Sequence, residues 1–438
     1  MEANSVAIVF DIQKKNFYSL ASLIATIDSD DGLRDLDLII SNDLEVGEIK
    51  NLLKKYSKLI IACSFRTNQL SDIYEKMKVF YSSLSFGELQ KITFIAGGSH
   101  PTGDPLTTLK FGFDFSFIGE AEYSLPFFLK QFIDGGDIYK SLGIAFLESE
   151  NTFSLTSRPP PIVLDEFPLL SKRRKLYPPL EITRGCTFGC TFCQVPMLFQ
   201  HNIRHRSPDV ILDTVKWMIT ERLNDIRFIT PNSFGYMSNS ARSVNQDAIV
   251  YLLKGIRSIE GVRNVFYGTF PGEVRPETVS EDLISKIKPY ITNRRVSIGL
   301  QSGSNKVLRE IRRGHSVEEC ISAIEILLNS GFTPIIDMIM GLPGASDEDE
   351  EQSINVIEDL IQKQAIIRAH VFMPLPGTVL EDSVYQPVSK KNRKRLGRLS
   401  TSGKIEGNWT QQELYAKNAW TIMQKLKSVS PLIREDNH

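Results

Sequence analysis

Residues Glu181–Pro196 read EITRGCTFGCTFCQVP, which places Cys186, Cys190 and Cys193 within eight residues with no histidine among them. A structural zinc takes four protein ligands, commonly two C-x2-C knuckles or a knuckle and a histidine pair. The spacing here is C-x3-C-x2-C with no fourth cysteine nearby, and His201 and His205 are the residues that could complete a zinc site. Dense thiolate runs otherwise serve iron–sulfur clusters. Three thiolates on a four-iron cluster leave one iron open, and an open iron can bind a molecule and pass it an electron. The spacing favours the cluster.

The rest of the composition agrees with a metal centre rather than a disulfide scaffold. Five cysteines are present, and Cys63 and Cys320 lie far from the other three in apolar surroundings, as small hydrophobes of a core. Charge is balanced, 51 Lys+Arg against 52 Asp+Glu over 438 residues. That excludes a generally basic nucleic-acid binder and an acidic disordered chain. No apolar run approaches the ~20 residues of a membrane span, and the N-terminus MEANSVAIVFDIQKKNF lacks the pattern of a signal peptide. The expected location is cytoplasmic.

Downstream of the cysteines, strand and helix patterns alternate. Ser207-Pro208-Asp209 opens a helix, DIRFIT, VRNVFYGTF and RRVSIGLQSG read as strands, and Ser316 with Glu319 forms a capping box that starts a helix ending at Gly331. TPIIDMIMGLPG, DEDEEQSINVIEDLIQK and IIRAHVFMPLPGT complete the series. Such alternation predicts a parallel sheet, open or closed into a barrel, with its chemistry at the C-terminal strand ends. TPNSF, PGEVRP, QSGS, GLPG and MPLPG all fall there.

RGCTFGCTFC closely resembles the signature of the radical S-adenosylmethionine (SAM) superfamily, including the aromatic Phe192 before the third cysteine. IGLQSGSNKVLREIRRGHS and IIDMIMGLPGASDEDEEQS resemble segments of its methylthiotransferases and cobalamin-dependent members, so the resemblance covers roughly 181–377. It implies a 4Fe–4S cluster held by Cys186, Cys190 and Cys193, with the fourth iron binding SAM and cleaving it to methionine and a 5′-deoxyadenosyl radical. It also implies an electron donor such as a ferredoxin or flavodoxin. By the same resemblance Phe192 packs near the adenine, Gln301 and Ser302 face the ribose, and Asn232 faces the methionyl amino group. Glu273 and Arg275 face SAM or substrate, and Arg312 or Arg313 meets the carboxylate. Gly341 and Gly344 permit close backbone approach.

The first third is a separate βα series. SVAIVF, DLDLII, KLIIACS, KITFIAGG and FDFSFIGE read as strands of a Rossmann-like doubly wound sheet, without the G-x-G-x-x-G turn of a dinucleotide site. IAGGSHPTGDP and IGEAE resemble the cobalamin-binding domain that precedes the radical SAM core in one subgroup, which implies cobalamin contacts from Ser64, Gly97, Gly98, His100 and Thr102. Many such domains carry D-x-H-x-x-G after the first strand. Here DIQKKN puts Gln13 at the histidine position and Asn16 at the glycine position, so cobalt would lack that lower ligand.

The expected organisation is a cobalamin-binding-like domain over 1–138, a hairpin and proline-rich linker over 139–172, a radical SAM partial (β/α) barrel over 173–380, and a C-terminal extension over 381–438. The basic run SKKNRKRLGRLSTSGK reads as a solvated connector, or as a face for RNA or anionic lipid. The leading expectation for function is cobalamin-type methyl transfer to an unactivated carbon. The alternatives are non-methylating hydrogen abstraction beside a degenerate first domain, and a non-catalytic iron–sulfur module. Methylthio transfer is set aside, because the first third supplies only Cys63 where that family has three further cysteines.

Overall fold

The computed structural model describes residues 5–240, 242–426 and 430–432, and its contacts divide the chain into two compact units. The first unit holds the residues up to Pro178, Leu375–Thr378 and the C-terminal residues from Asn418. The second holds Pro179–Pro374 and Val379–Lys417.

In the first unit, strands β1 (Val6–Ile12), β2 (Asp37–Asn42), β3 (Lys58–Ser64), β4 (Ile92–Gly97), β5 (Phe115–Phe117), β6 (Ile144–Ser149) and β7 (Thr152–Leu155) form one sheet in the order β2-β1-β3-β4-β5-β6-β7. The pairs from β2 to β5 are parallel. Near-continuous burial of β1 and β3 fits a sheet covered on both faces. The strand period of two shows directly in the core. Ala7, Val9, Leu59, Ile61 and Cys63 pack into one cluster, while Ile8, Phe10, Ile60 and Ala62 pack into another. The sheet order reverses between β1 and β3, and ligand crevices of doubly wound folds lie at such a switch point.

The hairpin assigned by sequence to the linker instead extends this sheet: β6 pairs antiparallel with β5, and β7 with β6. Its Ile144 and Ala145 are fully buried, so the β5 edge is paired rather than left open.

The second unit contains β8 (Leu180–Glu181), β9 (Thr183–Arg184), β10 (Arg204–His205), β11 (Asp225–Ile229), β12 (Asn264–Phe266), β13 (Arg295–Gln301), β14 (Thr333–Met340), β15 (Ile366–Val371) and β16 (Ile405–Glu406). Two parallel sheets, β12-β11-β8 and β13-β14-β15-β16, are linked by the parallel bridges Thr230–Gly272 and Val274–Ile298. The result is an open parallel arc, a partial (β/α) barrel. Helix Pro208–Thr220 starts on the Ser207 cap, and helix Val317–Asn329 on the Ser316–Glu319 capping box.

The α/β pattern does not stop at Gly377. The basic run forms helix Lys390–Thr401, followed by β16 parallel to β15. Lys391 pairs with Glu351, and Arg395 with Glu358, both on the acidic helix Asp347–Gln362. These charges therefore act within the fold rather than as a free connector. Among the described residues, no helix is long and apolar enough to cross a membrane.

Candidate active site

The three-cysteine loop hangs from the antiparallel pair β9–β10. Gly185, at φ +84°, makes this entry possible, because a Cβ there would run into the Asn202 carbonyl. The loop is tied down at Thr191, whose N–H donates to Ile311 O (3.1 Å) and whose carbonyl accepts from Leu380 N–H (3.3 Å). Cys186, Cys190 and Cys193 are all free thiols. Burial raises the Cys186 thiol while Arg275 and Arg313 pull it down, and burial pushes Cys193 up to about 11.

Among the described residues, no three His, Cys, Asp or Glu side chains converge as ligands of a single ion. His205 is committed at both ring nitrogens, to Thr183 Oγ1 and Ser238 O at 3.0 Å each, so it is not placed as a zinc ligand. A 4Fe–4S cluster asks for something different, one thiolate on each of three irons. An all-sulfur donor set on one anchored loop fits that group.

Behind the loop lies a buried charged network. The Arg275 guanidinium sits 3.3 Å over the Phe188 ring and donates to the Arg313 carbonyl and to Glu277 Oε1 (2.5 Å). The other Glu277 oxygen meets His315 Nδ1 at 3.1 Å. Burial alone would raise the Glu277 carboxyl, but the His315 hydrogen bond and the Arg275 charge bring it to about 2. Arg313 donates to Gly299 O (2.7 Å) and points Nη1 at Cys190 Sγ (3.8 Å). Arg312 is exposed, at φ +53°, and only its carbonyl reaches Cys190 Sγ (3.6 Å). Of the two arginines singled out by sequence, Arg313 is the one aimed at the cysteine loop.

The other residues named for SAM lie on the same unit. Phe192 is half-buried beside Cys193. Asn232, past the end of β11, accepts from Arg275 N–H through Oδ1 (3.2 Å). Gln301 ends β13 buried and left-handed, φ +79°, at a register shift. A non-glycine residue held in that region stores strain, which proteins concentrate at functional sites. Ser302 is turned to an internal network, its hydroxyl bonded to Ser353 Oγ (3.2 Å) and to Ser304 N–H (3.2 Å). Gly341, at φ +69°, lies where a Cβ would sit 2.9 Å from Gln386 O, and its N–H donates to Glu350. Glu273 parts from Arg275 and reaches Arg368 (3.7 Å).

In the first unit the residues named for cobalamin gather past the ends of β3 and β4. Gly97 has open space: a Cβ there would meet only Phe117 Cβ at 3.9 Å. Gly98, at φ +101°, has none, because its Cβ would lie 2.8 Å from Phe65 O and 2.9 Å from Ser64 Oγ. The glycine at 98 therefore answers to the backbone of Phe65, just past β3, and 97 is the position where added bulk reports on a ligand. Ser64 bonds Ser19 Oγ (3.0 Å), and Thr102 accepts from Gly119 N–H (3.0 Å). His100 is wholly buried, stacked on Phe65 and bonded to Thr67 through Nδ1, with Nε2 unpartnered. Burial holds its pKa down near 4, so the ring is neutral. Asn16 bridges the switch point, donating to Asp11 O and Ser64 O at 3.0 Å each.

Sequence reasoning missed Glu277, His315, Asp337, Arg368 and His370. Two signals pointed to the last three: a charged residue inside the apolar run TPIIDMIM, and polar residues at alternate positions in IIRAHV.

Comparisons with known proteins converge on this arrangement. Residues 180–357 match the family described as the radical SAM superfamily. The tRNA-2-methylthio-N(6)-dimethylallyladenosine synthase of Ehrlichia ruminantium is 27% identical over 251 residues, 56% of this chain and 54% of that protein. The Geobacter sulfurreducens enzyme of the same name is 26% identical over 226 residues, 51% and 48% of the two chains. The chain thus spans about half the length of these curated relatives.

Among solved structures, the cobalamin-dependent S-adenosylmethionine radical enzyme OxsB, with aqua-cobalamin and S-adenosylmethionine bound, superposes with TM-score 0.63 at 18% identity, over 98% of this chain and 57% of that one. The radical S-adenosylmethionine methyltransferase TsrM from Kitasatospora setae, with cobalamin and a [4Fe-4S] cluster bound, gives 0.64 at 12% identity, over 87% and 74%. At these identities the likeness is one of fold. Residues 180–357 are thus the part of the chain that is similar to the radical SAM superfamily.

Proposed function

We propose that this chain is a cobalamin-dependent radical SAM methyltransferase acting on an unactivated carbon. The supporting observation is that a cobalamin-dependent radical SAM enzyme shares its fold over 98% of the chain, doubly wound unit included. When bound, a 4Fe–4S cluster would supply the electron for reductive SAM cleavage, and cobalamin the methyl group.

The chain's own residues hold, orient and shield. Cys186, Cys190 and Cys193 are the cluster ligands in this reading. Arg313, with an N–H toward Cys190 Sγ, and Arg275 place positive charge beside the thiolates. Such outer contacts tune a cluster as much as its ligands do. Gln301 faces the SAM ribose in this reading, its amide turned by the strained backbone. The electron comes from an external one-electron donor of the ferredoxin or flavodoxin kind.

Two measurements test this. Reconstituted protein with a strong reductant should form 5′-deoxyadenosine and methionine. Gln301→Ala should raise the SAM concentration needed up to about tenfold, the worth of one neutral hydrogen bond, with cluster absorbance unchanged. An unaltered SAM requirement would show the ribose assignment to be misplaced. Protein made with cobalamin supplied should retain it, and Gly97→Val should lose it while keeping its fold. Gln13→Ala should change it little. No cobalamin in the parent protein would remove methyl transfer and leave the SAM reading intact.

A second reading, hydrogen abstraction without methylation, draws on Asn16. Its side chain spans β1 and β3 at the switch point, as expected of a unit kept for packing. Methylthio transfer, the chemistry named for the curated relatives, is disfavoured because Cys63, the only cysteine before 186, is sealed in the core.

A further inference from the structure

One face of the barrel sheet carries an incomplete charge cluster. Asp337, on β14, exposes 3% of its side chain. Its Oδ1 accepts from Arg368 Nη1 (3.2 Å) and meets His370 Nε2 (3.0 Å), while Oδ2 is buried and has no partner. Register pairs Asp337 with Arg368 on one side and with Gly299 on the other, and paired positions of parallel strands point their side chains to one face. Ser297, two residues before Gly299, shares that face, and its hydroxyl is also buried without a partner. Glu273 reaches the same guanidinium at 3.7 Å. His370 Nδ1 is held by Gln412 at 3.2 Å, which fixes the ring.

Burying a carboxylate oxygen without a donor is costly, so such an atom calls for an explanation. Arg368 already lies between two carboxylates and is not free to receive an anion. Arg313, on the neighbouring strand's side, is held by the Gly299 carbonyl. Surrounding protein and the nearby Asp337 charge raise Glu273 to about 7, even though 40% of its side chain stays accessible. The cluster therefore lacks one positive, N–H-donating group: such a group would satisfy Asp337 Oδ2 and let Glu273 ionise. A hydroxyl could do only the first.

We infer that Asp337 and Glu273 form a receiving site for an alkylammonium group of the substrate of the proposed enzyme. The site rests on that enzyme reading only for the identity of the molecule that carries the ammonium. Asp337 makes the direct hydrogen bond, Glu273 adds charge, and Arg368 and His370 hold Asp337 in place.

The test is saturation-transfer NMR on the reconstituted full chain with three probes of one shape: n-butylammonium, 1-butanol and butyrate. Butylammonium should bind, with the other two at least severalfold weaker. Asp337→Asn should weaken it about tenfold or more, as expected for a charge-assisted bond. Glu273→Gln should weaken it less, and it serves as the second variant if Asp337→Asn does not fold. Butylammonium displaced by SAM, but not by 5′-methylthioadenosine, which lacks the amino-acid part, would place the carboxylates in the SAM pocket and overturn the substrate site. Butylammonium that stays bound under saturating SAM assigns the site to the substrate. Equal binding of the three probes, or binding unchanged in both variants, overturns the site. Failure of cluster assembly or SAM cleavage would sink the enzyme reading but leave this readout standing.

Discussion

Replacing Cys186, Cys190 or Cys193 by alanine is expected to abolish the visible absorbance and the electron paramagnetic resonance signal of an anaerobically reconstituted cluster. Each sulfur sits on the one loop fixed by Gly185 and Thr191, and among the described residues no spare cysteine stands nearby to substitute. Cys63 and Cys320 are fully buried, and burial raises both thiols well above the ordinary range, so neither offers a thiolate. Alanine at those positions should leave the cluster intact. A full cluster in the Cys190 variant, or tight stoichiometric zinc in the parent protein, would overturn the assignment.

Glu277→Gln should destabilise the barrel by about 3–5 kcal/mol, the usual cost of leaving a buried charge unpaired. Arg275 and Glu277 expose only 6% and 9% of their side chains, so solvent cannot replace the lost partner. The corresponding drop in thermal midpoint is on the order of 10 °C. The sign with pH follows from the depressed carboxyl. With Glu277 near 2 in the folded chain against an ordinary 4.5, its contribution is complete above pH 4.5 and disappears as pH falls toward 2. Urea midpoints of parent and variant should therefore differ most at neutral pH and converge in acid. A gap that does not change with pH would mean that the carboxylate charge is not what holds Arg275.

The strands and caps were legible because they depend on local chemistry. Ser207, Ser316 and the β-branched runs each specify an element by their own hydrogen bonds and shape. The cysteines were legible because their spacing alone carries meaning. What stayed hidden depends on partners far along the chain. The basic run could not be recognised as a packed helix until the acids of Asp347–Gln362 were seen opposite it. Arg312 and Arg313 differ only in which way a left-handed turn points them. Gly97 and Gly98 look equivalent on paper, yet the Phe65 backbone crowds one and leaves the other open. The Asp337 cluster joins residues from three strands, and no single segment announces it.

The placement of the C-terminal residues has a consequence for synthesis. Met423 lies in the same hydrophobic cluster as β1, β3 and β4, with Ile422 and Leu432 packed against it. The sheet thus waits for residues made long after it before one face of its core is sealed. Until then apolar surface stays uncovered, the condition under which nascent chains aggregate or recruit chaperones. Folding of this unit should therefore finish only after the barrel strands that lie between its two parts have been made. A stop codon a few residues before Met423 should lower the soluble yield of the polypeptide.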